Sequence, residues 1–243
     1  NWATRAVGEL AHRRDEINAL NVFPVPDSDT GSNMAHTMEA AVAELDNGGD
    51  VADSLALGAV RGARGNSGMV LSQVLRGVAE STVDSVIDGA VFVRSLKQAV
   101  ELVDRAIAEP VEGTVITVLK AAAEAADDAE AQSGATLHSI VSAAIAAAET
   151  ALERTPSQLP ALREAGVVDA GGAGLVILLE SLLAEIEGST GHTGLPEAEP
   201  TTELEVVFFF AGDLDALQAA IEPLGDSLVI ARATEDSANV HIH

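Results

Sequence analysis

Alanine fills this chain, while aromatic side chains are almost missing from it: they make up 2% of residues, and Tyr does not occur. Alanine is the strongest helix former and puts little bulk between neighbouring helices. At 47% hydrophobic residues the chain can build a sizeable core, but that core has to be aliphatic. The composition therefore predicts closely packed helices, and apolar periodicity locates them.

Residues 2–20 read as a first helix, with Val7, Leu10, Ile17 and Leu20 on one stripe. A second runs from about 33 to 45 through Met34, Met38, Ala41, Val42 and Leu45, which marks the two methionines as core residues. D-N-G-G-D at 46–50 is a turn, followed by helices over about 52–61, from Met69 to about Glu80, and over 89–108. Pro110 ends the last of these, and E-G-T at 112–114 starts another, to about 129. Thr136 caps a helix carrying Leu137, Ile140, Val141, Ala144, Ile145 and Leu152. Pro156 and Pro160 bracket a short segment, and a final apolar helix runs to about 187. The expectation is a mainly α fold, an eight-helix barrel or bundle over 1–187.

The pattern then changes. Residues 188–202 have the composition of a linker. After it, Leu204 to Phe210 is β-rich, 213–222 is helical, and Ser227 to Ala233 and Asn239 to His243 alternate, as expected for a truncated α+β domain over 203–243. A length of 243 residues suits one to two domains of about 150 residues each. The chain opens without Met and ends abruptly, so it reads as a piece of something longer.

The formal net charge of −25 argues against nucleic acid and anionic membrane as partners. Lysine occurs only as Lys97 and Lys120, so a phosphate site would depend on metal ions, backbone N–H groups and a few arginines. No apolar run reaches the roughly 18 residues of a membrane span, and no signal-peptide pattern opens the chain. Cysteine is absent, which suits a reducing compartment, and a cytoplasmic location is expected.

The chemistry concentrates in N-V-F-P-V-P-D-S-D-T-G-S-N-M at 21–34. Asp27 and Asp29 sit two residues apart in a proline-stiffened loop. In an extended segment both would point the same way and could share a hard cation such as Mg²⁺. Thr30, Gly31, Ser32 and Asn33 then offer hydroxyls and N–H groups at a helix start, where anions are favoured. Capping of a helix and a turn is the competing role for the two acids. The proline clamp and the scarcity of lysine tip the reading toward metal. Three more loops are rich in Gly, Asp, Asn, Ser or Thr: 62–68, 112–114 and 166–174. Taken singly, 62–68 reads as a helix connector and the 166–174 glycines as packing residues. Arg61 and Arg64 read as solvated. No Walker A or dinucleotide-binding glycine motif occurs, so a nucleotide here needs a helix-borne site.

Together with G-A-R-G-N-S-G-M-V-L-S-Q-V-L-R-G, P-V-E-G-T and G-V-V-D-A-G-G-A-G-L, the proline loop resembles the dihydroxyacetone-kinase-like ATP-binding domain, most closely the bacterial fatty acid kinase ATP-binding subunit. The resemblance covers residues 1 to about 187, with four motifs in order. It implies a helical barrel holding ATP and Mg²⁺ at one end, and γ-phosphoryl transfer to the carboxylate of a fatty acid presented by a separate acyl-binding protein. Carried onto this chain, Asp27 and Asp29 are the catalytic metal-holding pair. Asn21 stands close to where related kinases place a further aspartate and is a candidate third ligand. Thr30, Gly31, Ser32 and Asn33 would meet the phosphates, as would Asn66, Ser67 and Gly68. Asp169, Ala170, Gly171 and Gly172 would border the nucleotide, and Thr114 would lie near the pocket. Dimerisation through the missing C-terminal region is left open. The alternatives are a dihydroxyacetone-type kinase subunit and a non-catalytic ATP-sensing module.

Two departures stand out. The family loop reads D-G-D, and Ser28 replaces the glycine. The family's middle domain can also bind zinc through a cysteine and an H-x-H pair. His241 and His243 are present here, but without cysteine that three-ligand site cannot form, and an acid such as Glu203 or Glu205 would have to take part.

Overall fold

The computed structural model describes residues 2–82, 86–188, 206–222, 228–234 and 236–242. Helices dominate: α1 (Trp2–His12), α2 (Arg14–Leu20), α3 (Thr30–Ala43), α4 (Val51–Gly62), α5 (Gly65–Ser81), α6 (Gly89–Ala106), α7 (Val115–Glu130), α8 (Leu137–Gln158), α9 (Pro160–Ala165) and α10 (Ala170–Ile186). The eight helical segments read from the sequence are all present. The first divides at Arg13, where the backbone leaves helical geometry although the Ile17 N–H still donates to the Arg13 carbonyl. The Pro156–Pro160 stretch is helical on both sides of Leu159, with Pro156 inside α8 and Pro160 at the first position of α9.

Local chemistry sets the helix ends. Asp50 caps α4, accepting from the Ala52 and Asp53 N–H groups, and Asp88 caps α6, accepting from Val91. Thr136 and Ser139 form a reciprocal capping box at α8. A helix apolar on most sides lies largely inside the fold. Accordingly α10 buries Ala170, Gly172, Gly174, Leu175 to Leu179 and Ser181. Helices α5 and α10 feed two aliphatic clusters, one shared with α6, α7 and α8, the other with α1 to α4. The Trp2 indole N–H closes the second cluster by donating to the Leu178 carbonyl at 3.1 Å.

The C-terminal part is a three-stranded antiparallel sheet with one helix: β1 (Val206–Ala211), α11 (Leu214–Ile221), β2 (Val229–Thr234) and β3 (Ser237–Ile242), in the order β1-β3-β2. The chain is thus a mainly α body followed by a small α+β region. One sheet face packs on α11 through Leu214, Leu228, Ile230, Ala238 and Val240. The other meets the helices: Val229 and Ala231 cluster with Ala63, Met69 and Ala106, and the Asn239 amide donates to the Val60 carbonyl at 2.7 Å. Ile107, in extended conformation after α6, forms an isolated antiparallel bridge with Val229. Apart from Gly188, the stretch expected as a linker lies outside the described residues.

Candidate functional site

Four helix N-termini meet at one end of the helical body. Helices α3, α5, α7 and α10 each begin at one of the loops singled out in the sequence, and Thr30, Gly65, Asn66, Ser67, Thr114, Val115, Asp169 and Gly171 all line one cavity of about 570 Å³. The first turn of a helix has N–H groups without intrahelical partners and carries the positive end of the helix dipole. Their convergence creates local anion affinity in a chain whose net charge is −25.

Asp27 and Asp29 lie on the wall of this cavity, as does Asn21. The Asn21 amide nitrogen donates to Asp27 Oδ1 and reaches Asp29 Oδ1 at 3.5 Å. The two carboxylates therefore aim at a common point, but not through an extended i, i+2 segment. Ser28 between them has φ = 58°, in the left-handed region, and this kink brings the pair together. The non-glycine residue thus sits at the position of the family's glycine. A left-handed conformation costs a residue with a Cβ about 1–2 kcal/mol, and glycine loses about 0.5–1 kcal/mol more backbone entropy on folding. Ser28→Gly is accordingly expected to stabilise the fold by between about 0 and 1.5 kcal/mol. Ser28→Val, branched at Cβ, is expected to lower the thermal midpoint measurably. A midpoint unchanged by valine would show that the loop does not need this kink.

The donor set suits Mg²⁺, which prefers carboxylate oxygens and keeps several positions for water and phosphate. Asp27 and Asp29 would hold it. As placed, Asn21 presents its N–H₂ to the two acids and acts as their clamp. Asn33 supports the same pair, its amide donating to Asp29 Oδ2 at 2.7 Å. Gly65 approaches Asn33 so closely that an added Cβ would lie 2.2 Å from Asn33 Nδ2, and its φ is +59°. Only glycine satisfies both conditions, so the start of α5 is fitted against the residue that steadies Asp29.

Some residues expected at the phosphates or bordering the nucleotide stand behind the wall. An added Cβ on Gly31 would meet the Arg14 carbonyl at 2.3 Å, which makes Gly31 the contact point of α2 and α3. The Ser32 N–H donates to Asn18 Oδ1, and its hydroxyl accepts from the Asn18 amide. Gly68 abuts the Thr37 hydroxyl, and Ala170 is buried. The Gly172 N–H donates to Asp169 Oδ2 at 2.7 Å. Thr114 donates its hydroxyl to the Val111 carbonyl at 2.7 Å and starts α7 at the cavity edge. Arg61 pairs with Glu44 at 3.3 Å on the surface.

Asp169 caps α10 and is buried. Burial pushes its carboxyl up to about 6, against the opposing pull of the Gly172 and Val115 N–H groups. A carboxyl raised on folding contributes stability below its unfolded value, and that contribution is lost as pH rises through 6. Asp169→Asn keeps an acceptor for the cap. It is expected to be more stable than the parent above pH 6, by up to about 3 kcal/mol, and to lack the decline between about pH 4 and 6. Thermal midpoints across that range check it; parallel curves for the two proteins would refute a buried titrating Asp169.

The rest of the wall was not anticipated. Phe23, Val25, Val70, Val111, Val115 and Ile116 give the cavity an apolar side, and Glu222, Leu228 and Val229 reach it from the sheet region. Phe23, Val25, Val70 and Val111 lie within the quoted motifs, but nothing in the sequence marked them, or Val115 and Ile116, as facing a cavity. No sequence signal joins residues 222–229 to loops that begin two hundred positions earlier. His241 is fully buried, and its Nδ1 lies 2.8 Å from Asn66 Oδ1. His243, Glu203 and Glu205 fall outside the described residues. Among the described residues no three histidines or acids form a metal-binding group, in line with the reading that the H-x-H pair lacks its third ligand.

The DAK2 domain family matches residues 24–184, which contain all four loops apart from the first residues of the proline loop. This chain belongs to the DAK2 domain family. Protein YloV of Bacillus subtilis is 34% identical over 96% of this chain and 48% of its own length. An uncharacterized protein of Staphylococcus saprophyticus is 38% identical over 74% of this chain and 34% of its own. The chain thus spans about half or less of the length of these relatives. Among solved structures, the dihydroxyacetone kinase of C. freundii superposes with a TM-score of 0.53 at 20% identity, over 76% of this chain and 33% of that one. The likeness shows a shared helical fold. Together, family and fold support a DAK2 domain of the dihydroxyacetone-kinase-like fold. Among the described residues no helix is long and apolar enough to cross a membrane.

Proposed function

We propose that this DAK2 domain is the ATP-binding component of a fatty acid kinase, working with a separate protein that presents the acyl substrate. The observation that carries the reading is the meeting of Asp27 and Asp29 with four helix N-termini around one cavity. Its volume, about 570 Å³, lies within the usual range of small-molecule sites.

Asp27 and Asp29 would hold Mg²⁺, and Thr30, Asn66 and Ser67 face the space where a triphosphate would lie. Bound there, the metal would supply charge neutralisation on the phosphate oxygens. The first turns of α3 and α5 orient the phosphate chain, and the apolar side of the cavity excludes water from it. The acceptor carboxylate oxygen forms a new bond to the γ-phosphorus as the β–γ bridging P–O bond breaks, and ADP leaves. The products are ADP and an acyl-phosphate. A carboxylate is already ionised at neutral pH, so this chemistry asks no general base of the protein; among the described residues of the wall there is no His.

The test is Mg-ATP binding by calorimetry, followed by γ-phosphate transfer to an acyl-loaded partner and, in parallel, to dihydroxyacetone with its own partner subunit. Transfer to the fatty acid supports the proposal. Transfer to dihydroxyacetone alone makes the chain a dihydroxyacetone-type subunit. Binding without transfer to either makes it an ATP sensor.

A further inference from the structure

The sheet region does more than wall the cavity. His241 sits on the central strand β3, completely buried, and its ring meets Asn66 on the first turn of α5. The same sheet face is anchored two residues earlier by Asn239 to the Val60 carbonyl and beside it by Val229 and Ala231 against Ala63 and Met69. His241 is therefore held by the packing around it. Asn66, in turn, lines the cavity between Gly65 and Ser67.

We infer that His241 is a positioning residue for the anion-binding part of the cavity, a role that rests on the nucleotide reading above. An amide oxygen only accepts, so the imidazole must carry its proton on Nδ1 to donate to Asn66 Oδ1. That bond fixes which end of the Asn66 amide meets the sheet. Its oxygen is held away from an incoming phosphate, which it would repel, and its N–H₂ remains as a donor. An asparagine without this anchor would present either end. The strand thus reads out on the phosphate site through a hydrogen bond between residues 175 positions apart.

The experiment uses the full chain and Mg-ATP as the probe. Loss of one oriented hydrogen bond is expected to weaken binding on the order of tenfold in His241→Leu. His241→Asn places an amide N–H near the position of Nδ1–H and is expected to bind within about twofold of the parent. His241→Gln, whose N–H falls near Nε2, is expected to resemble leucine. Asn66→Ala and the double variant with His241→Leu are expected to bind equally, because the two changes remove one interaction. Should His241→Leu fail to fold, the asparagine–glutamine comparison and Asn66→Ala carry the test alone. Imidazole ¹⁵N shifts provide a readout independent of binding: a ring protonated at Nδ1 is expected, perturbed in Asn66→Ala. Equal binding by the asparagine and glutamine variants, additive effects in the double variant, or a ring protonated at Nε2 alone would each overturn the inference and leave the nucleotide reading intact. A parent protein that does not bind Mg-ATP would overturn both.

Discussion

Replacing Asp27 and Asp29 together by asparagine is expected to abolish Mg²⁺-dependent nucleotide binding while leaving the fold in place. The partners that merely support a metal ligand are worth about 10–100-fold in affinity. Removing both carboxylates therefore sets a floor of about 100-fold on the loss, roughly 2.7 kcal/mol. The pair is held toward one point by the Asn21 amide and the Ser28 kink, and Asn33 braces Asp29. Without a cation, two like charges so placed repel each other, so neutralising them does not cost stability. The thermal midpoint of the double variant without metal should equal or exceed that of the parent, and calorimetry with Mg-ATP should show no heat. Retained binding with unchanged dependence on Mg²⁺ would place the cation elsewhere and sink the reading of this loop.

The second large effect concerns the packing that holds the cavity in shape. Helices α5 and α6 approach each other at Gly77, where an added Cβ would lie 2.7 Å from the Ala99 nitrogen, 2.9 Å from its Cα and 2.9 Å from the Ser95 carbonyl. All three are backbone atoms, so no rotamer change relieves the overlap and the helices must part. Alanine favours the helix by about 1 kcal/mol over glycine. Overpacking a dense core costs about 1–3 kcal/mol, and against rigid backbone the upper part of that range applies. Gly77→Ala is thus expected to lower the thermal midpoint by several degrees, at about 2–4 °C per kcal/mol for a chain of this size. Gly77→Val should lower it further. Because α5 carries Asn66 and Ser67 on its first turn, nucleotide affinity should weaken in step. A midpoint raised by alanine would mean that helix propensity outweighs the contact and that α5 and α6 are less tightly apposed.

Most of the helical architecture was legible in the residues. Thr136 announced its cap, Asp50 closed the D-N-G-G-D turn, and the final apolar helix to about 187 matched a largely buried α10. The strand–helix–strand–strand order after residue 203 was also readable from alternation. What escaped was fine placement at the functional ends. Helix α5 begins at Gly65 instead of Met69, because glycine and asparagine carry little helix propensity, while the fit of Gly65 against Asn33 sets the start from outside the segment. The sequence likewise did not separate the residues that face the cavity, such as Thr30 and Ser67, from Gly31 and Gly68, which occupy the same motifs but serve helix packing.

By itself, the sequence determined that the core is aliphatic and helical, that the acids and small polar residues gather in four interhelical loops, and that no P-loop or dinucleotide motif is present. These are properties of local periodicity and composition, and local interactions are written into neighbouring residues. Only the tertiary structure decided that the four loops open onto one cavity, that Ser28 bends two acids onto Asn21, and that His241 on a distant strand grips Asn66. Each of those depends on which helix faces which. That is settled by the close approach of helices at residues without a side chain, such as Gly31 and Gly77, a steric match between remote segments that no local pattern encodes.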